Sequence, residues 1–428
     1  QPSKRTASFW SADENYSRSQ PPEGLELDDW YARLLFDVER SNLQLRSAEV
    51  SDGGRVVWLE VANSGYQYTA DAVRRILTLA EAHVPRGVHT INLVIEENGL
   101  RMSGLSYRRD ALQGGRRAVV PADAVIDVIP PRRLDAPRYR TGYRIPSVSF
   151  VANVGTRFQI MDPDDPLRYQ VALRLGTRVN LPWDFAIRGS TTINLYNDFD
   201  DIDRDSDSVL PRVRSDVSRY LREGDSGVES LYLEWRSSVL RDVHVRGYAG
   251  VLEEMYSGVG AEVLYQPFAS RLAYGATVNY LHQRDFDKDF GLRDYETVTA
   301  FASVYWATPF SNYDVALHAG RYLARDVGAT LEIRRTFANG WSIGGWATLT
   351  DVPFDEFGEG SFDKGLFFNV PLNSLLPGNT RGSYSTAIRP TQRDGGQRTE
   401  GFGSTLWWES RAVRADALVE TRARMVPR

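Results

Sequence analysis

The sequence predicts a mainly β protein, a transmembrane antiparallel β-barrel of about 14 strands (roughly 12 to 16) preceded by a small α+β module. Apolar and polar residues alternate over long segments of the second two-thirds of the chain, as in LRYQVALRLGTRVNL. Such segments exceed the usual strand of about five or six residues, and a tilted strand needs roughly ten to cross a bilayer. The connections alternate between tight turns and long acidic loops. That layout is typical of transmembrane barrels.

Composition restricts the class of protein. The chain has 428 residues, of which 42% are apolar and 25% are charged, so it can build a sizeable core. The net charge of −5 offers no basic surface, and nucleic acid is therefore not an expected partner. Cysteine is absent, which excludes disulfides, zinc–thiolate sites and a cysteine nucleophile. No apolar run reaches about eighteen residues, so no membrane-spanning helix is expected.

Composition also divides the chain into four parts. We expect a flexible lead-in over residues 1–24, the α+β module over 25–115, a linker rich in proline and arginine over 116–142, and the barrel over 143–428. The module has no glycine-rich phosphate loop and no carboxylate pair. Docking or spacing is therefore favoured over catalysis for this part.

Local patterns predict the elements of the module. Apolar spacing indicates a helix over 27–42, followed by strands near 44–50 and 55–62. The stretch TADAVRRILTLAEAHVPRG has the clearest helical pattern, with Thr69 as a plausible N-cap. The dipeptide Asn-Gly at 98–99 separates two apolar runs, which is the strongest short-range signal for a hairpin.

Each predicted strand of the barrel has one apolar and one polar side. The polar sides carry mostly arginine, asparagine, threonine and serine, while small residues are frequent on the apolar sides. Small residues suit contact with lipid better than an interlocking core, so we expect the apolar sides to face lipid and the arginines to face a wet interior. The alternative is a large soluble sandwich or propeller with the apolar sides packed inside. The same alternation predicts a last strand around 413–422.

Candidate ligand-binding residues project into the predicted lumen. Guanidinium groups bind carboxylates through two parallel hydrogen bonds, and aromatic faces stack on sugar rings, so such a set can guide an anionic sugar chain. The alternative is that these side chains only hydrate or cross-link the interior. The candidates are Arg168, Arg174, Arg178, Arg188, Tyr232, Glu234, Arg236, Arg246, Arg393 and Asp394.

No catalytic residue and no cofactor is predicted. The five histidines lie far apart, without the spacing of a metal site or a catalytic triad. The alternating carboxylates Asp201, Asp203 and Asp205 resemble a calcium loop but lack the glycine and closing glutamate of an EF-hand. A solvated loop is the expected structure there, with divalent-cation binding as the weaker alternative.

Two stretches resemble the YjbH/GfcD family of Gram-negative exopolysaccharide and group 4 capsule proteins. One is the helix–strand module that begins DDWYARLLFDVERSNLQLRSAEV and ends INLVIEENGL, and the other is RPTQRDGGQR near the end of the chain. The resemblance implies a protein of the bacterial outer membrane, with the N-terminal module in the periplasm. In this family the module and barrel follow an earlier barrel-like segment, which implies a second β-barrel chain or a missing N-terminal barrel as a partner.

The function expected from pattern and resemblance is export or surface handling of an exopolysaccharide. The barrel would be a passive, non-enzymatic conduit with a polar, arginine-rich lumen. The partners implied are an anionic or neutral polysaccharide, outer-membrane lipid and periplasmic export components. The alternatives are a barrel enzyme that modifies polysaccharide or lipid, or a plugged structural or assembly partner of another barrel.

Overall fold

The chain folds into two sheets that lie end to end. The computed structural model describes residues 29–112, 121–134, 137–143, 145–160, 167–198, 209–353, 357, 362–374, 381–389, 394–399 and 405–427, and every statement below concerns these residues. Within them, one sheet has six strands and the other has thirteen. The described helices are α1 Trp30–Arg40, α2 Thr69–His83, α3 Ala122–Val125, α4 Val217–Glu223, α5 Leu406–Glu409 and α6 Ala415–Met425.

The six-stranded sheet and the helices α1 and α2 form the N-terminal module. The strands are β1 Leu43–Ser51, β2 Val56–Asn63, β3 Thr90–Glu97, β4 Leu100–Arg108, β5 Ile126–Ile129 and β6 Tyr139–Arg140. They are ordered β5-β4-β3-β2-β1-β6, and only β2 and β3, which are joined through α2, pair in parallel. The apolar sides of α1 and α2 pack with the sheet into a continuous core. The predicted α+β module is thus present.

The module differs from the sequence predictions in two places. Thr69 is the first residue of α2, whose N-cap is Tyr68, so the predicted N-cap is wrong by one residue. Part of the stretch 116–142, interpreted above as a linker, is strand: β5 pairs with β4 and β6 pairs with β1. The predicted hairpin is confirmed, with φ of 52° at Asn98 and 84° at Gly99 as its tight turn requires.

The large sheet is antiparallel throughout and follows the order of the chain. Each described strand pairs with its sequence neighbours, from β7 to β19. Thirteen strands lie within the range predicted from the alternation. They are β7 Ser147–Ile160, β8 Leu167–Asn180, β9 Phe185–Asn197, β10 Gly227–Leu240, β11 Val243–Val251, β12 Tyr256–Tyr265, β13 Leu272–Arg284, β14 Leu292–Ala307, β15 Tyr313–Arg321, β16 Val327–Thr336, β17 Ser342–Thr350, β18 Asp363–Pro371 and β19 Ser383–Ile388.

The two edge strands of this sheet approach each other. The hydroxyl groups of Thr156 in β7 and Tyr384 in β19 lie 2.7 Å apart. Among the described residues no backbone ladder joins these two strands. The sheet therefore curves until its edges meet through side chains, and a closed hydrogen-bonded barrel is not present in the described part of the chain.

Burial in the large sheet is reversed relative to a soluble protein. In β15, Leu317 is 45% exposed while its neighbour His318 is 2% exposed. The same holds along β14, where Val298 and Val304 are exposed and Thr299 and Ser303 are buried. The concave side is thus polar and enclosed, and the convex side is an exposed apolar surface, which soluble monomers rarely have at this size.

The chain after β19 contains no further described strand. The last strand predicted around 413–422 is wrong, because residues 415–425 form α6. Alanine, leucine, glutamate and arginine dominate this stretch and favour helix. Ala415, Leu418 and Met425 recur at helical spacing and are buried, whereas Val419 is exposed. No helix in the described ranges is long and apolar enough to cross a membrane.

Candidate functional site

The C-terminal residues 394–399 and 405–427, here called the lumenal segment, pass through the inside of the large sheet. The segment starts where the long connections between strands lie, which we call the long-loop end. There the Asp394 carboxylate accepts the backbone N–H groups of Val213, Arg214 and Ser215 at 2.8, 2.8 and 2.9 Å. The N–H of Gly396 donates to Asp326 at 2.7 Å. Asp394 and Gly396 of the stretch RPTQRDGGQR therefore anchor the segment inside the sheet.

The middle of the lumenal segment binds the inner wall of the sheet. The Leu406 N–H donates to the carboxylate of Glu262 in β12 at 2.7 Å. Glu409 pairs with Arg236 in β10 and lies 3.7 Å from Arg246 in β11. Burial alone would raise the pKa of the Glu409 carboxyl, but these arginines overcome that effect and hold the pKa below its ordinary value. Glu409 is thus an ionised anchor.

The segment ends at the opposite end of the sheet, here called the short-turn end, against the module. Trp407 is fully buried and stacks on Tyr305, with ring centroids 5.1 Å apart. The Arg414 guanidinium covers the Trp407 ring and donates to Asp314 at 2.7 Å. Helix α6 then packs on the module, where Arg424 pairs with Asp71 of α2 at 3.0 Å. Trp407 and its neighbours belong to the same apolar core as the module.

The module contacts the short-turn end of the large sheet directly. The hydroxyl of Tyr68 donates to the backbone oxygen of Asn339 at 2.6 Å. Arg381 donates to Asn63 and pairs with Glu97 at the tip of the module. Burial raises the pKa of the Glu97 carboxyl, and Arg381 opposes this rise. These contacts place the module as a cap over one opening of the sheet.

Several predicted lumen residues meet in one ion-pair network. Glu234 is 2% exposed, and its carboxylate lies 2.8 Å from Arg188, 2.6 Å from Arg236 and 3.9 Å from Arg246. Arg246 also pairs with Glu262 at 2.9 Å. Buried charges are tolerated when paired in this way. These residues therefore cross-link the inside of the sheet in this structure.

The remaining candidates are dispersed. Arg174 lies 3.7 Å from Glu229, and Arg178 donates to Asn98 of the module at 3.2 Å. Tyr232 packs in a second apolar cluster, which α4 and the connection before it form inside the long-loop end. The structure does not describe the side chain of Arg168 or the residues Arg393, Asp201, Asp203 and Asp205. The roles predicted for all of these residues as ligands stay predictions.

A cavity of about 270 Å³ lies between the lumenal segment and the inner wall. Its lining includes Trp346, Phe367 and Trp408, together with Arg334 and Arg398, none of which we selected from the sequence. The alternation of β16 and β17 could have placed Arg334 and Trp346 inside, but Arg398 and Trp408 lie in stretches of the lumenal segment without such a pattern. Within the described ranges, no group of three or more histidine, aspartate or glutamate residues could hold a metal ion.

Comparisons with known proteins agree with the resemblance noted in the sequence. A family model described as the exopolysaccharide biosynthesis protein YjbH matches residues 5–408. A protein of Escherichia coli (strain K12) named "Uncharacterized lipoprotein YjbH" is 31% identical over 376 residues, which are 83% of this chain and 52% of that protein. The chain thus spans about half the length of this relative. The chain belongs to the YjbH family of exopolysaccharide biosynthesis proteins.

Proposed function

We propose that this chain is a non-enzymatic outer-membrane barrel that acts in the export or surface handling of an exopolysaccharide. The reversed burial of the large sheet is the observation that supports this most strongly. Leu317, Val278 and Leu331 expose 45%, 49% and 44% of their surface on the convex side. In water this surface would be unfavourable, whereas a hydrocarbon environment solvates it. The family and the lipoprotein relative are consistent with this location.

In the proposed orientation the module lies in the periplasm and the long loops face outward. Short turns on the periplasmic side and long loops outside are usual for bacterial outer-membrane barrels. The module contacts the turn at Asn339 and the connection at Arg381, both at the short-turn end. The module would thus meet periplasmic export components on one side and the barrel on the other.

A second candidate function is that of a plugged partner of another barrel. The lumenal segment and the α4 cluster occupy the inside of the sheet at both ends, which favours a closed resting state over an open pore. In the first function the segment moves aside for polymer, whereas in the second it stays in place. The relative of about twice this length suggests a further part as the partner.

Deletion of the gene tests the proposal in cells that make the polymer. We expect loss of polymer from the cell surface, with the amount recovered by expression of the full protein. An unchanged amount of surface polymer in the deletion strain would contradict the proposed function. Two variants expressed in the deletion strain separate the two candidate functions. Asp394→Ala should release the lumenal segment, and a second variant holds the segment to the inside of the sheet by a covalent cross-link. Recovery of surface polymer with the first variant but not with the second would favour passage of polymer over the plugged partner.

A further inference from the structure

The convex side of the large sheet carries a groove across its last strands, with a volume of about 670 Å³. Gly345 and Ala347 of β17 form its floor, and the larger side chains of Ile333 in β16 and Leu366 in β18 form its walls. The register places Gly345 directly between Ile333 and Leu366. Because neighbouring strands lie about 4.8 Å apart, the two walls are roughly 10 Å apart. The groove is therefore wide enough to hold a hydrocarbon chain.

The middle of the groove is apolar and open to the surroundings of the sheet. Its walls and the flanking side chains Ile343 and Ile388 are exposed, and all of its lining residues lie in the described part of the chain. Lys364 lines the end nearer the long loops, but its ammonium lies 4.3 Å from the ring centroid of Phe362, which is not part of the lining. In a membrane, an acyl chain is the expected occupant of such a groove.

The opposite end of the groove carries a cation. Arg335 follows Ile333 on the same side of β16, two positions nearer to the short-turn end. The register places it between Tyr313 of β15 and Ile343 of β17. Within the described ranges its guanidinium has no carboxylate partner, and its buried Nε has no hydrogen-bond acceptor. A guanidinium without a counter-ion has N–H groups to donate to an anionic ligand.

Two aromatic rings hold this guanidinium in place. The central carbon of the Arg335 guanidinium lies 4.6 Å from the ring centroid of Phe337 and 5.4 Å from that of Tyr313. Such contacts use the faces of the planar group and leave the N–H groups at its edge, which is the part that binds phosphate. Phe337 and Trp341 are exposed beside it, and exposed aromatic residues are typical of the membrane–water interface. In the proposed orientation, Arg335 thus lies at the depth of lipid headgroups.

We propose that the groove binds one phospholipid of the periplasmic leaflet, with an acyl chain on Gly345 and Ala347 and the phosphate on Arg335. This inference rests on the proposed function, because it requires the convex side to face a membrane and the short-turn end to face the periplasm. The position of Arg335 selects the leaflet, since a lipid of the outer leaflet would have its phosphate at the long-loop end. Because Ile388 lines the groove, the bound lipid also packs beside the edge strand β19.

Native mass spectrometry of the full chain in detergent tests the inference. The probes are phosphatidylglycerol and the diacylglycerol with the same two acyl chains, which lacks the phosphate. We expect the first phosphatidylglycerol to bind about tenfold more tightly than diacylglycerol, as hydrogen bonds from a charged donor imply. Arg335→Gln should reduce this affinity to that of diacylglycerol. Gly345→Leu fills the floor of the groove and should weaken both lipids alike.

Two substitutions elsewhere on the large sheet are the matched controls. Arg241→Gln removes an exposed arginine of another short turn, and Ala302→Leu enlarges an exposed small residue on the convex side of β14. Both should leave lipid binding unchanged. Equal affinity of the wild type for the two lipids would overturn the inference, and so would equal loss of affinity in Arg335→Gln and Arg241→Gln. Tighter binding of lipid A, as a probe for the outer leaflet, than of phosphatidylglycerol would overturn it as well.

The outcome is distinguishable from a failure of the proposed function. If the two lipids bind alike while deletion of the gene removes polymer from the cell surface, the lipid site alone is wrong. If Arg335→Gln loses its preference for phosphatidylglycerol but deletion leaves the surface polymer unchanged, the lipid site stands and the role in polymer export is wrong.

Discussion

Three carboxylates, Glu234, Glu262 and Glu409, pair with three arginines, Arg188, Arg236 and Arg246, inside the sheet. The sequence placed Arg188, Arg236 and Glu234 on one side of their strands, and the structure has them there. The sequence could not identify Glu409 as a partner of Arg236, because the two residues are 173 positions apart and no local pattern links them. The alternation of apolar and polar residues thus predicted on which side of the sheet each side chain lies. The pairing of charges could not be predicted, because it depends on the path of the lumenal segment.

Glu409→Gln should lower the stability of the folded protein. The change leaves the buried Arg236 with one fewer counter-ion, which costs about 3 kcal/mol. Thermal unfolding in detergent measures the effect as a lower Tm. Glu223→Gln is the control, because Glu223 forms an exposed pair with Arg219 on α4 and should change the Tm little.

The effect of Glu409→Gln should also depend on pH. The folded state holds the pKa of Glu409 below the ordinary value of 4.5. The ionised carboxylate therefore contributes stability above pH 4.5, and this contribution is lost as the pH falls through the lower folded pKa. The difference in Tm between the wild type and the variant should narrow below pH 4.5. A difference that grows in acid would contradict the ionised anchor.

The secondary structure of the lumenal segment was predicted wrongly, as a strand instead of the helix α6. Val413, Ala415, Ala417 and Val419 alternate as in a strand, yet Ala415 and Leu418 also fit a helical spacing. Short apolar runs are ambiguous between the two periods, and here packing on α2 decides for helix. Long strands such as β8 were predictable because their alternation extends over more residues than a helix pattern tolerates.

Asp394→Ala should release the lumenal segment at the long-loop end of the sheet. Its carboxylate accepts three backbone N–H groups of the long connection before α4, which would all lose their partner. We expect a higher single-channel conductance in planar bilayers than for the wild type. Asp225→Ala serves as the control, because the Asp225 carboxylate accepts a hydrogen bond from Asn194 and takes no part in this anchor. Equal, near-zero conductance of all three proteins would favour the plugged partner.

The whole molecule combines a module with an ordinary apolar core and a sheet with reversed burial. Composition and alternation predicted both parts and their order along the chain. They did not predict that the module, α6 and Trp407 share one core, since that depends on contacts between distant segments. The proposed function therefore depends on whether lipid or water surrounds the convex side of the large sheet.

Spin labels on single cysteines test this most directly, because the chain has no cysteine of its own. The labelled positions are Val278→Cys and Leu317→Cys on the convex side, Thr299→Cys on the concave side and Asp225→Cys in a loop. In protein reconstituted into bilayers, the convex positions should be accessible to oxygen, which concentrates in hydrocarbon, and protected from a water-soluble nickel complex. Convex labels that the nickel complex reaches as readily as it reaches Asp225→Cys would show that water covers this surface and would contradict the membrane barrel.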